Sequence, residues 1–429
     1  MFLVSAPVIV LYTAGYRLDV MAGRITHTGV LNATSIPRGA TVLIDGVLKS
    51  DRTPTVFDDV FPGEHLITLQ RSGYTSWEKI LEIKSRETTF IANALLFLDS
   101  TFENQESRTV SFYSLSPHRD QLAYLISEGS WIELWVTDPS TQSERLLARI
   151  TEAAGADYAI RWSKEGTTIA LFQNGSSLET LSLITVATGE TLSVPTTLER
   201  ASKFWWDVAE DDYLYAEQAE VVYRVSLSTQ EVELVSYNAE TIMHQNEDLI
   251  LSSASDRMVL SRYQDKTATI LTYLPVGSYQ FRTAPSGLAL LEDLDRHRLI
   301  LVDLSSQDQP ILLNEEAYSW DWSKDGDRLV FTDGFDLEVY TRSSHTTQTL
   351  TRQSDRVQSV LWYPLGDAIL YSTTTSLRSL ERDMRDGHEV VELASGTLET
   401  FWINQDGKIL SILGTLEETA GIFSRRLQR

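Results

Sequence analysis

Eight stretches of this chain follow one plan: a short polar turn rich in Asp, Gly, Asn or Pro, then an aliphatic strand. They are SPHRDQLAYL from Ser116, SKEGTTIALF from Ser163, AEDDYLYAEQ from Ala209, NEDLILSSAS from Asn246, APSGLALLED from Ala284, SKDGDRLVFT from Ser323, PLGDAILYST from Pro364 and NQDGKILSIL from Asn404. Leu122, Ile169, Leu214, Leu249, Leu288, Leu329, Ile369 and Ile409 occupy the same place in each. A strand that often carries Trp or Phe precedes each turn, and two more strands joined by a polar hairpin follow. Self-similarity at a period of about 40 residues constrains the fold more than any composition does, because each copy must be one supersecondary unit.

A four-stranded unit at that period is the mark of a β-propeller blade. One such sheet cannot bury both of its faces alone. Radial stacking buries them, which explains strands that are apolar on both faces, such as RLILVDL and RLVFTDG. Trp162, Trp206, Trp322 and Trp362, just before the turns, are expected to wedge between blades. Trp205 and Trp206 are adjacent and point to opposite faces of their strand, so one of the pair is a candidate exposed ring. WSKDGDRLVF (322–331) and WSKEGTTIALF (162–172) resemble the W-S-P-D-G repeat of TolB-like, WD40-like propellers, although neither carries the Pro. The last repeat supplies only three strands, ETFWIN, KILSIL and GIFSRRLQR; a strand such as RTVSFYSL, from the start of the propeller, is expected to complete it. Eight blades is the expected count and seven the alternative.

Ahead of the repeats, 29–98 reads as short strands with tight turns and a period near two, a small β-sandwich. Val30–Ser35 precedes Pro37-Arg38-Gly39-Ala40; Ala40–Ile44 ends at Asp45-Gly46, a hairpin pair that tolerates positive φ. DRTPTVFDDVFPGEH reads as loop, HLITLQRSGYTSWEKILEI as two strands and TTFIANALLFL as a last one. The order S-x-P-x-G-A-x-V-x-x-D-G, then Thr53-Pro54, then Pro62-Gly63-Glu64-His65, then Gly73-Tyr74 resembles a PEGA domain, departing from it where Arg38 replaces the Glu. The resemblance implies a compact, non-catalytic β-module of the kind found on extracytoplasmic proteins.

The opening residues are apolar: FLVSAPVIVLYTAGY, Phe2 to Tyr16, has no charge. As a helix it would span about 22 Å, against about 30 Å of hydrocarbon. With no basic leader and no small-residue cleavage pattern, 1–16 reads as a shortened membrane anchor. That implies a single-pass protein of the cell membrane with the bulk of the chain extracytoplasmic. Residues 99–108, DSTFENQESR, read as a linker, and 109–429 as the propeller.

The formal charge is −24, from 36 Lys and Arg against 60 Asp and Glu. That disfavours nucleic acid, whose affinity comes from neutralised phosphates, and docking on anionic lipid. With no cysteine, disulfides, thiolate metal sites and Cys nucleophiles are excluded. His27, His65, His118, His244, His297, His345 and His388 are scattered, without metal-ligand spacing. No G-x-S-x-G elbow and no P-loop is present. The turn at Asp325–Asp327 lacks the alternating ligands of a calcium loop, and AEDDY (209–213) reads as a solvated turn. No catalytic, cofactor or metal residue is assigned, and no cofactor is implied. The expected function is a non-enzymatic, membrane-anchored, surface-exposed binding or scaffold protein. Its propeller face would meet an envelope protein or a cell-wall polysaccharide. The alternative is a propeller enzyme, a glycan or peptide hydrolase or lyase, with carboxylates gathered in the central channel.

Overall fold

The computed structural model describes residues 10, 13, 16–19, 23–138, 143–152, 155–174, 179–195, 201–237, 239–264, 267–306 and 308–429. The chain is all-β. Among the described residues the repeats form eight four-stranded antiparallel sheets, here sheets I to VIII in chain order. Sheets I to VII lie within 112–151, 157–192, 203–237, 239–274, 279–316, 319–352 and 359–395; sheet VIII takes 397–426 and one strand from elsewhere. The fourth repeat, the weakest in sequence, is a complete sheet.

Each sheet begins with its innermost strand, and these first strands contact one another between sheets I and II, II and III, IV and V, and VI and VII. They are Phe112–Leu115, Asp157–Trp162, Lys203–Trp206, Ala239–Gln245, Tyr279–Arg282, Ser319–Trp322, Ser359–Trp362 and Thr397–Ile403. The second strands are buried on both faces, as in Ala368–Ser372, where all five residues are buried. Burying one Leu or Ile there contributes about 1.5–3 kcal/mol, and that gain exists only once a neighbouring sheet covers it.

The ring closes by a route the sequence hid. The fourth strand of sheet VIII is Glu103–Glu106, paired antiparallel with Thr419–Arg426 through Glu103↔Ser424, Asn104↔Phe423 and Glu106↔Ile422. The segment read as a linker therefore contains the closing strand, and the strand expected in that place instead begins sheet I, as Phe112–Leu115. A Cβ at Gly421 would collide with the Glu106 carbonyl, so this close pairing requires glycine. Trp402 of sheet VIII shares one apolar cluster with Leu122, Tyr124 and Ile126 of sheet I, sealing the same seam from inside.

The N-terminal module is a two-sheet sandwich. One sheet orders Thr55–Val60, Gly29–Ile36 and Thr88–Leu95; the other orders Val47–Arg52, Thr41–Ile44, Gly63–Gln70 and Trp77–Ile83. Gly29–Ile36 and Trp77–Ile83 alternate strictly between buried and more exposed positions, which is the period read from sequence. The segment expected to be loop holds the strand Thr55–Val60. Ile36–Pro37 and Thr53–Pro54 are cis. Their turns are tied by Ser35 Oγ to Thr53 Oγ1 at 2.6 Å, and by the Ala40 amide donating to Thr53 Oγ1 at 2.9 Å. Asp45 and Gly46 both have positive φ, as their hairpin requires.

The sandwich is bonded to sheets VII and VIII. Leu95 and Phe97 belong to the same core as Leu361, Tyr363, Phe401 and Leu410. Lys79, only 2% exposed, donates to the carbonyls of Asp383 at 2.6 Å and Gly387 at 2.9 Å, and lies 3.5 Å from Glu381. Trp77 donates to Glu381 at 2.8 Å. At the chain's end, the Leu98 amide donates to the Leu427 carbonyl at 2.8 Å and Gln428 to the Leu96 carbonyl at 2.8 Å.

The expectation of a single-pass membrane protein is corrected. Among the described residues no helix is long and apolar enough to cross a membrane. The apolar segment 1–16 lies outside the described residues except at 10, 13 and 16. Its uncharged run is short for a hydrocarbon core, and Tyr16 already begins a strand, Tyr16–Asp19, paired with Arg24–His27 in a hairpin the sequence did not announce.

The closing seam is also where stability responds to pH. Glu106, 7% exposed, accepts from the Arg108 amide at 2.7 Å and from Arg108 Nε at 2.8 Å. Burial pushes the nearby Glu144 carboxyl up to about 7; Tyr124 pulls it down, and the Glu106 carboxylate adds to the rise. The folded pKa thus lies above the unfolded value of 4.5. Between the two the folded chain holds more protons, so this group's contribution to stability falls as pH rises. Urea unfolding from about pH 5 to about pH 8 should show Glu144→Gln losing less stability than the wild type across that window. Parallel pH profiles for the two proteins would contradict this.

Candidate functional site

The candidate site is built from the turns that follow the innermost strands. In four of them the geometry repeats. The amides of Arg119, Gly166, Gly326 and Gly407 donate to the carbonyls of Ser116, Ser163, Ser323 and Asn404 at 2.8–3.0 Å. The side chain of that Ser or Asn accepts from the next strand's amide, at Gln121, Thr168, Arg328 and Ile409. This explains the recurring Ser and Gly of the repeat: one caps the turn and the other adopts positive φ. Arg119 stands in a glycine slot and takes φ 51° itself.

Four tryptophans tie the innermost strands of sheets II, III, VI and VII to the sheet before. Their indole N–H groups donate to backbone carbonyls: Trp162 to Ser114 at 3.1 Å, Trp206 to Arg161 at 3.0 Å, Trp322 to Thr283 at 3.2 Å and Trp362 to Asp321 at 3.1 Å. These are the residues expected to wedge between blades. Of the Trp205-Trp206 pair neither is open: they are 8% and 7% exposed, with Trp205 stacked on Tyr215.

Inside the ring of first strands lie two cavities that share Leu115, Pro117 and Arg282. The larger, about 950 Å³, opens at the turn face. Arg119 spans it, donating to the carbonyls of Val360 at 2.7 Å and Trp320 at 3.1 Å, so a side chain of sheet I bonds to sheets VII and VI. Beside it Asp321 accepts from the Trp362 amide at 2.8 Å. Burial pushes Asp321 up, and Arg119 opposes this. Glu165, the other carboxylate of this lining, is exposed at the rim in an ion pair with Lys164, with the His118 ring 3.5 Å away. Trp320, Trp322, Trp362 and Tyr363 supply its aromatic wall.

The smaller cavity, about 330 Å³, is lined from sheets I to V. Arg161 and Arg282 enter it, and its lining has no Asp or Glu. Arg161 donates to the Phe204 carbonyl at 2.8 Å; Arg282 pairs with Glu292, its Nε at 2.6 Å.

Other residues raised by the sequence serve their own surroundings. Asp327 accepts from Ser343 at 3.0 Å, and Asp325 from Ser323 at 2.6 Å. Asp211 accepts from the Glu165 amide at 2.7 Å and Asp212 from Ser226 at 2.6 Å. The histidines stay apart: His65 meets Asp45, His244 meets Asp248, and His388 meets the carbonyls of Glu381 and Leu350. His27 and His297 lie against Tyr16 and Tyr318, and His345 faces the Tyr340 hydroxyl. Among the described residues no group of three His, Asp or Glu is placed to hold a metal ion. Sequence reasoning missed the three arginines. The one available signal was an Arg at position 119, where sister repeats have Gly.

Residues 28–95 match the PEGA domain family. Among solved structures, the eukaryotic initiation factor resembles the chain with a TM-score of 0.50 at 12% identity, over 75% of this chain and 89% of that one. The Dos1 propeller gives 0.48 at 13%, over 76% and 94%. The uncharacterized protein lmo1340 of Listeria monocytogenes EGD-e gives 0.47 at 13%, over 68% and 97%. At such identities the likeness concerns fold alone. No curated protein matches the chain. The chain is an all-β protein in which a PEGA domain precedes a β-propeller.

Arg119→Gly isolates the cross-channel bonds. It relieves left-handed strain of about 1–2 kcal/mol but removes bonds from a charged donor, about 1.5–3 kcal/mol each. Urea unfolding should show a net loss of about 2 kcal/mol. A gain in stability would mean that the guanidinium holds nothing across the channel.

Proposed function

We propose that this chain is a non-enzymatic binding scaffold that presents its channel mouth to a protein partner. The observation that carries this reading is Tyr363. It lines the mouth cavity, and its ring also meets Phe97 at the end of the PEGA domain, 5.5 Å away and edge-on. Both rings are buried, so the contact joins the core beneath the mouth to the end of the N-terminal module and fixes the two relative to each other. The domain's other anchor, the 381–387 hairpin of sheet VII, joins the third and fourth strands and so lies on the same face as the turns of the mouth.

The chemistry of the mouth favours recognition over turnover. Its aromatic wall and an arginine are the side chains that anchor protein interfaces. Arg119 is bonded to backbone carbonyls, and Asp321 accepts backbone amides, so both act as fixed scaffold rather than as a poised acid and base. A glycosidase would need two facing carboxylates; here Asp321 is held by the Trp362 amide and Glu165 is paired with Lys164 at the rim.

A photo-crosslinking residue at Lys324 or His118, on the mouth, should capture one protein species in cells expressing the native gene. The same residue at Glu220 or Glu418, in hairpins of the opposite face, should not capture it, and Trp320→Ala should reduce the mouth adduct. Equal capture from both faces, or none from the mouth, would contradict the proposal.

A further inference from the structure

The smaller cavity has a chemistry of its own. The chain carries a net charge of −24, yet two arginines from different sheets point into a cavity whose lining contains no carboxylate. Arg282 has Glu292 as a partner. Arg161 has one bond, to the Phe204 carbonyl, and no ion pair among the described residues. It also lies over the Phe204 ring, 5.3 Å from its centroid, and Ser114, Thr241 and Gln280 add neutral polar groups to the cavity lining.

Arg161 is open to the channel, and Arg282 lies near enough for the two like charges to act on each other. Guanidinium stays charged in proteins, so the two cations share one cavity with no carboxylate in its lining. An anion between them offsets that repulsion, and their planar forks match carboxylate and phosphate oxygens.

We infer that the channel contains an anion site between Arg161 and Arg282, which takes a compact carboxylate or phosphate group with Thr241 and Gln280 as neutral partners. A volume of about 330 Å³ admits such a group together with a small body against Trp206 and Phe281. The site adjoins the mouth proposed to dock a protein, sharing Leu115, Pro117 and Arg282 with it, but it stands whether or not that docking holds.

The test uses the full chain in sodium phosphate, sodium succinate or sodium chloride at matched ionic strength, following thermal unfolding and tryptophan fluorescence. Trp162, Trp205 and Trp206 border the cavity and report its occupancy. Phosphate or succinate should raise the unfolding midpoint above chloride; whichever does so more strongly names the ligand's head group. R161Q should weaken that binding about tenfold or more, the worth of a hydrogen bond to a charged group. In chloride R161Q should lose only the stability of the one backbone bond that Arg161 makes, so the difference between salts, and not the midpoint in chloride, reads the site. R161K, which keeps the charge but not the fork, should fall between the two. One midpoint for the wild type in all three salts overturns the site, with no variant required. So does an R161Q protein that binds the anion as tightly as the wild type.

Discussion

The propeller depends on a backbone pairing between its two ends. Each sheet is apolar on both faces and is stable only between neighbours, so a ring of such sheets must join last to first or leave two apolar faces in water. The join is the ladder between 103–106 and 419–426, backed by Trp402 against Leu122 and Tyr124. The closing strand lies directly after the PEGA domain. The interaction that shuts the ring therefore also draws that domain against sheets VII and VIII, where Leu95, Phe97 and Lys79 complete the junction.

The same geometry makes the channel. Eight innermost strands present unpaired edges toward one axis, and the molecule treats them differently in two places. Under the mouth Arg119 binds the edge carbonyls of Trp320 and Val360, which fixes the mouth. In the adjoining cavity Arg161 and Arg282 meet no carboxylate in the lining, which is where the proposed anion would sit. In a strongly acidic chain these cations give the channel a local field of sign opposite to the net charge.

Much of the fold was legible because it rests on local patterns. The turn Ser-x-x-Gly, the aliphatic second strand and the preceding Trp each do the same job in several sheets, so they recur at the same interval. The PEGA span was legible for the same reason, through turns that need Pro or Gly. The closing strand was not legible, because ENQE is polar and contributes backbone pairing rather than apolar side chains. The channel arginines were hidden as well: 119, 161 and 282 are far apart in sequence, and only the ring brings them to one axis. The apolar opening segment misled because an uncharged run suggests a membrane span, whereas the described chain is already in a hairpin at Tyr16.

The most direct test of this account is native-state hydrogen exchange at the seam. If the ring is held by the end-to-end ladder, the amides of 422–424 exchange as slowly as those of 411–413 in the adjacent strand, because both open only when the ring opens. Fast exchange at 422–424 beside slow exchange at 411–413 would show that the ends part while the sheets stand, and the closing pair would no longer be what holds the propeller together.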